Sequence, residues 1–87
     1  MTFTLAEGAL MLDALDALKR FNLSYHARSG LDALQARISA GLLSFTLGDL
    51  KNICLGLEIL LSECPMDWNA NALLHRLRSE FGIQSQL

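Results

Sequence analysis

The chain has 87 residues and a net charge of −2, and it is 52% hydrophobic but only 18% charged. At this length a second hydrophobic core could not be filled, and the slightly acidic balance gives no electrostatic footprint for nucleic acid or an anionic membrane. Ordinary domains carry about 25% charged residues, so the excess apolar surface needs burial against another molecule. We therefore predict a single domain over residues 1–87 that associates with protein.

The N-terminal segment does not resemble a signal peptide, because no basic stretch precedes its apolar residues and its charges fall within a periodic run. The unbroken apolar runs are a few residues long, whereas a membrane span needs about 18. Cys54 and Cys64 are ten residues apart, which is about 15 Å along a helix and too far for a disulfide. These features predict a cytoplasmic protein with two reduced thiols and no membrane span. We expect Cys54, in the centre of an apolar helix face, to be inaccessible, and Cys64, at a helix exit beside Pro65, to react first with a thiol reagent.

The first predicted helix runs from Leu5 to about Arg20. Thr4 precedes it and Glu7 follows three residues later, which is the spacing of a capping box. Apolar residues recur at helical spacing along one face, and this face consists of Leu10, Met11, Ala14, Leu15, Ala17, Leu18 and Phe21.

The second predicted helix has two possible starts. Ser24 would cap a long helix, and Ser29 would cap a short one. Leu31, Leu34 and Ile38 share its apolar face under either interpretation, and Gly41 is placed to end it as a C′ glycine.

The third predicted helix, Phe45 to Glu63, is apolar on both sides. Its main apolar arc consists of Leu47, Leu50, Ile53, Cys54, Leu57, Leu60 and Leu61. A second stripe, on the far side, consists of Asn52, Leu55, Gly56 and Ile59, with Gly48 beside it. One flat core face cannot take both sets, so this helix is either central in the domain or shared with a partner.

We predict that the second stripe, formed by Asn52, Leu55, Gly56 and Ile59, is part of a two-fold dimer contact. A glycine in a helix interior costs about 1 kcal/mol, and the close approach of another backbone would offset that cost. The alternative is that the connector at residues 25–27, or the turn at Leu42 and Leu43, covers the stripe within one chain.

The fourth predicted helix follows Pro65, which disfavours helical backbone at Cys64. Asp67 or Asn69 would cap it and Gly82 would stop it, so residues 83–87 are expected to be a loose end. The predicted core stripe is Ala70, Leu73, Leu74, Leu77 and Phe81.

A weaker candidate interface lies on the other side of this helix and consists of Trp68, Asn71 and His75. An exposed tryptophan is a common interface anchor. The alternative is that Trp68 folds back over the Cys64–Met66 loop and closes the bundle.

The chain also contains an internal repeat. Phe3–Leu5 and Phe45–Leu47 have the same sequence at an offset of 42 residues, and the offset becomes 43 after the second connector. Phe45 is placed to form a staple with Leu50, whereas Phe3 faces only Gly8. We predict a duplicated helical hairpin, over about 3–41 and about 45–82, that closes as an all-α four-helix bundle; coincidence among leucine-rich helices is the alternative.

Catalytic and metal patterns are missing from the sequence. His26 and His75 are isolated from any Cys or acidic residue at ligand spacing, and no Cys-x-x-Cys occurs. No base is visible beside a nucleophile, so we predict that the chain is not an enzyme and binds neither a metal nor a cofactor.

The predicted function is a small non-catalytic protein–protein interaction module that self-associates or binds a helical partner and acts in regulation. One alternative is a helix-turn-helix-like DNA-binding regulator, with Asn71, Arg76 and Arg78 on the fourth helix. Arg76 and Arg78 are two residues apart and diverge around the helix, which disfavours this alternative. Another alternative is a bundle whose core admits an apolar ligand.

Overall fold

The computed structural model describes residues 3–21 and 23–83 of the chain. These residues form four helices, with no strand among them: α1 (Leu5–Lys19), α2 (Tyr25–Ser39), α3 (Leu47–Glu63) and α4 (Trp68–Phe81). The helices form a compact bundle, so the predicted all-α class is confirmed.

Each helix begins at a residue whose side chain caps it. Thr4 and Thr46 both form complete capping boxes, in which the hydroxyl accepts from the backbone N–H of Glu7 or Asp49 and that residue's carboxylate accepts in return. Ser24 caps α2, so the longer of the two alternatives for this helix is correct. Asp67, rather than Asn69, caps α4.

Glycines with positive φ follow α2 and α4, as the sequence predicts. After α2, the N–H of Gly41 donates to the carbonyl of Ile38 and the N–H of Leu42 donates to Arg37, both at 2.9 Å. These two bonds are the Schellman pattern, which requires a left-handed residue at the position of Gly41, where φ is 82°. Gly82 ends α4 with a φ of 64°.

The central pair of helices is α1 and α3, which run side by side in the same direction. At one end the rings of Phe3 and Phe45 meet edge-on at 5.5 Å, and at the other end Arg20 Nη1 lies 3.0 Å from Glu63 Oε2. In the outer layer, α2 packs on α1 and α4 packs on α3. Phe3 therefore has a packing partner, contrary to the expectation that it faces only a glycine.

The core is formed by apolar side chains from all four helices. Its largest fully buried members are Met11, Leu15, Leu34, Ile53, Cys54, Leu57 and Leu77. Four expectations near helix ends are wrong. Leu47 and Phe81, predicted on the apolar faces of α3 and α4, are 52% and 36% exposed, because they are the first residue of α3 and the last residue of α4. Phe21 is 55% exposed because α1 ends before it, and Ile83 is 5% exposed, packed against the core rather than part of a loose end. The rest of that predicted loose end, residues 84–87, lies outside the described part of the chain.

Two arginines connect the hairpins reciprocally. Arg37 of α2 reaches Asp49 of α3 at 3.0 Å, and Arg76 of α4 pairs with Glu7 of α1. Each arginine thus binds the carboxylate that completes the capping box of the other hairpin. The reciprocity fits two related hairpins, while their origin by duplication stays a prediction.

Glu58 is buried in the largely apolar α3, where its side chain is 5% exposed. The side chain pairs with Arg78 of α4, as a buried charge requires. The equivalent position in α1, 42 residues earlier, is the exposed Asp16. The ion pair therefore orients α4 on α3 in a way that the sequence periodicity did not reveal.

Candidate protein interface

The stripe predicted as a dimer contact on α3 is not one exposed surface. Gly56 and Ile59 are buried, Leu55 is partly buried, and Asn52 is exposed. A Cβ atom added at Gly56 would lie 2.2 Å from the carbonyl oxygen of Ala14. The close approach expected from another copy is therefore made by α1 of the same chain, and this corrects the role assigned to Gly56.

The rest of the stripe lies beside the first part of α2 and the preceding Leu23. Asn52 and Leu55 line a pocket of about 150 Å³, shared with Leu18, Leu23, Ala27 and Leu31. Ala27 lies in the first turn of α2, in the segment that the sequence offered as a connector covering the stripe. The arrangement leaves Asn52 as the exposed member of the four predicted residues.

The outward face of α4 is exposed along its length. Trp68 is 74% exposed, and Asn71 and His75 are also exposed. Met66 in the preceding loop is 70% exposed, so Trp68 does not fold back to close the bundle. That alternative is wrong, and the three residues of the weaker candidate interface share an accessible surface.

A groove of about 650 Å³ runs between α1 and α4. Its apolar lining consists of Leu10, Leu73 and three exposed alanines, Ala6, Ala9 and Ala72. Glu7, Asp13, Asn69 and Arg76 supply its polar groups. The sequence analysis missed this groove, although small apolar residues outside the core stripes of two helices were a signal for it.

Contacts with Glu7, Glu80 and Phe3 hold Arg76 in place at the groove. It pairs with Glu7, and its guanidinium carbon lies 5.2 Å from the centroid of the Phe3 ring, within cation–π range. Partial burial would raise the pKa of Glu7, but the hydrogen bond from the Thr4 backbone N–H and the pairing with Arg76 outweigh it and lower the pKa. The Glu7 carboxylate therefore stays charged at neutral pH.

Trp68 has a counterpart in the first hairpin. Tyr25 is the first residue of α2, as Trp68 is the first residue of α4, and the two are 43 residues apart. Tyr25 is 83% exposed, and its ring meets the His26 ring edge-on at 6.0 Å. The two hairpins thus present an exposed aromatic side chain at equivalent positions.

The two thiols differ in environment. Cys54 is fully buried and Cys64 is exposed, as predicted. The pKa of the Cys54 thiol is raised to about 11, mainly by burial, with a lowering effect of Arg78 and a raising effect of the Glu58 carboxylate included in that value. A buried, protonated thiol is a poor nucleophile. Within residues 3–21 and 23–83, no group of three or more His, Cys, Asp or Glu side chains is placed to hold a metal ion.

The chain matches no protein family model, no curated protein and no solved structure with which we compared it. Among the described helices, none has the length and apolar character needed to cross a membrane.

Proposed function

We propose that the chain is a small, non-catalytic, helical protein–protein interaction module that docks its partner on the outward face of α4 and the adjoining α1–α4 groove. The single observation that supports this most is the exposure of Trp68, at 74%, beside an apolar groove lined by alanines. Tryptophan is enriched among residues that dominate binding energy. An exposed tryptophan that adjoins further apolar surface forms the kind of patch that marks a protein interaction site.

The α1–α4 groove offers a surface into which part of a partner can pack. Alanines in its walls let another backbone or a large side chain approach closely, and Leu10 and Leu73 supply apolar area beneath. Glu7 and Arg76 offer paired charges that can orient a partner without being stripped of their own partners. A helix or a bulky aromatic side chain fits such a surface better than a small polar ligand does.

The alternatives receive less support. Arg76 and Arg78, on which a DNA contact would depend, are engaged with Glu7 and Glu58, so their charges are already partly neutralised. An apolar ligand in the core has no specific observation in its favour. We also place the module in the cytoplasm, where the thiols of Cys54 and Cys64 would remain reduced.

Capture of binding partners in the native host tests the proposal. We expect the tagged wild type to retain a polypeptide, either its own untagged copy or another protein, that the Trp68→Ala variant loses. Tyr25→Ala is the matched control, because it removes an equally exposed aromatic residue from the equivalent position of α2. Retention of the same polypeptides by all three proteins would show that this surface is not the interface.

A further inference from the structure

We propose that the partner is a second copy of this chain, docked through an antiparallel pair of α4 helices that cross at Ala72. The inference depends on the proposed function above and names its partner. In this arrangement each copy contributes Trp68 to the groove of the other, so neither groove is complete in a single chain.

The spacing of three residues along α4 supports this dimer. Trp68, Ala72 and Arg76 are spaced four residues apart, and residues at this spacing form a continuous ridge on a helix. Trp68 is exposed, while Ala72 and Arg76 line the groove. The ridge thus has an aromatic group at one end, a cation about 12 Å away at the other, and a small side chain at its midpoint.

Such a ridge is complementary to itself. A two-fold axis beside Ala72 places Trp68 of each copy next to Arg76 of the other, because the two positions are equally distant from the midpoint. The pairing of an indole with a guanidinium is favourable, and the alanine at the crossing lets the two backbones approach. An isologous contact of this kind closes after two copies and does not continue into a filament.

Arg76 is already positioned for this role. The ion pair with Glu7 and the contact with the Phe3 ring restrain its side chain, so little further ordering is required on association. Its side chain is 33% exposed, which leaves part of it accessible to a neighbouring copy.

The equivalent ridge of α2 lacks this complementarity. It runs through Tyr25, Ser29 and Ala33, so an aromatic residue is present but no cation stands two turns later. Self-association through α2 would therefore pair a tyrosine with an alanine. This difference makes Tyr25→Ala a control that changes an exposed aromatic residue without touching the proposed contact.

Sedimentation equilibrium is the first test. A contact between one helix of each copy is small for a protein interface, and small interfaces have micromolar affinities or weaker. We therefore expect the wild type to dimerise at concentrations of about 100 µM. Trp68→Ala, which removes two anchors per dimer, should raise the dissociation constant by at least about 30-fold, and Tyr25→Ala should leave it unchanged. Circular dichroism checks that both variants remain folded. A wild type that stays monomeric would overturn the inference.

Disulfide trapping tests the geometry. In a Cys64→Ser background, Ala72→Cys places one thiol from each copy beside the two-fold axis, so mild oxidation should give a covalent dimer. Ala33→Cys in the same background, exposed on α2, should give little. Equal trapping at both positions would contradict the α4 contact.

A photo-crosslinking amino acid at position 72, used in the host cells, tests the second copy as partner separately from the proposed interaction module. Crosslinking to the same chain supports the second copy as partner. Crosslinking to a different protein overturns that inference but leaves the interaction module in place. Absence of any crosslinked polypeptide overturns both.

Discussion

Gly56 determines how closely the two central helices approach each other. The carbonyl carbon of Ala14 would lie 2.5 Å from a Cβ atom at this position, and the carbonyl oxygen 2.2 Å. Because the opposing atoms belong to the backbone, they cannot move aside as a flexible side chain would. The α1–α3 contact therefore depends on the absence of a side chain at one residue.

We expect Gly56→Ala to lower the free energy of unfolding by about 3 kcal/mol, because overpacking in a rigid contact outweighs the gain in helix propensity. Gly48→Ala is the matched control. It lies in the same helix with only the Thr46 hydroxyl within 4 Å, at 3.8 Å, so it should stabilise the protein by about 0.5–1 kcal/mol. Urea titrations measure both, and a neutral Gly56→Ala would contradict the packing described here.

The two cysteines should react at very different rates. Cys64 is exposed, whereas Cys54 is fully buried and its pKa is raised to about 11 by burial. We expect a thiol reagent at neutral pH to label Cys64 rapidly in the native protein. Cys54 should be labelled only as the protein unfolds. Mass spectrometry of the labelled peptides distinguishes the two sites, and the Cys64→Ser variant gives the rate of Cys54 alone. Comparable native rates would be inconsistent with this fold.

At the scale of the helices, the two capping boxes provide hydrogen-bond partners for backbone N–H groups in the first turns of α1 and α3. Each threonine hydroxyl accepts a backbone N–H at 3.1 Å. We expect Thr4→Ala and Thr46→Ala each to lower the free energy of unfolding by about 1 kcal/mol. Thr→Ser at either position keeps the hydroxyl and should cost much less. Thermal unfolding followed by circular dichroism makes the comparison, and equal losses for serine and alanine would argue against the caps.

For the whole molecule, the reciprocal arginine pairs predict acid sensitivity. Partial burial would raise the pKa of Asp49, but the hydrogen bond from the Thr46 backbone N–H and the pairing with Arg37 lower it from its usual value of 3.8. The pKa of Glu7 is lowered from 4.5 by the corresponding groups. In acid the unfolded chain therefore binds more protons than the folded chain, so stability is fully present above about pH 5 and is lost as the pH falls through the folded-state values.

Removing both arginines should reduce this acid sensitivity. We expect the double variant Arg37→Gln, Arg76→Gln to lose about 0.5–1 kcal/mol per pair at neutral pH and to show a shallower decline of the urea midpoint below pH 5. Arg76 also faces Glu80, at 3.7 Å, so part of its loss is not linked to Glu7. Arg20→Gln is the control, since its pair with Glu63 is half exposed on both sides. An unchanged pH profile in the double variant would rule out the arginine pairs as the source.

The sequence by itself determined the helices and their ends. Threonine caps, C′ glycines and a proline act on backbone groups within a few residues, so their effect is readable from local spacing. That is why the all-α class, the start and stop of α1, the stops of α3 and α4, and the contrast between Cys54 and Cys64 were predicted correctly. For α4 the sequence left two caps open, Asp67 and Asn69. For α2 the sequence left two starts open, because Ser24 and Ser29 are both chemically able to cap.

Only the tertiary structure decided which surfaces face each other. The helical pattern showed that Gly56 lies opposite the main arc of α3, but the backbone that approaches it could belong to another copy or to the same chain. Likewise, the periodicity placed Trp68 outside the core without saying whether the adjoining loop covers it, and it did not pair Glu58 with Arg78 or Arg76 with Glu7. These contacts join residues 20 to 69 positions apart, and their geometry follows from how four helices pack around one core rather than from any local rule.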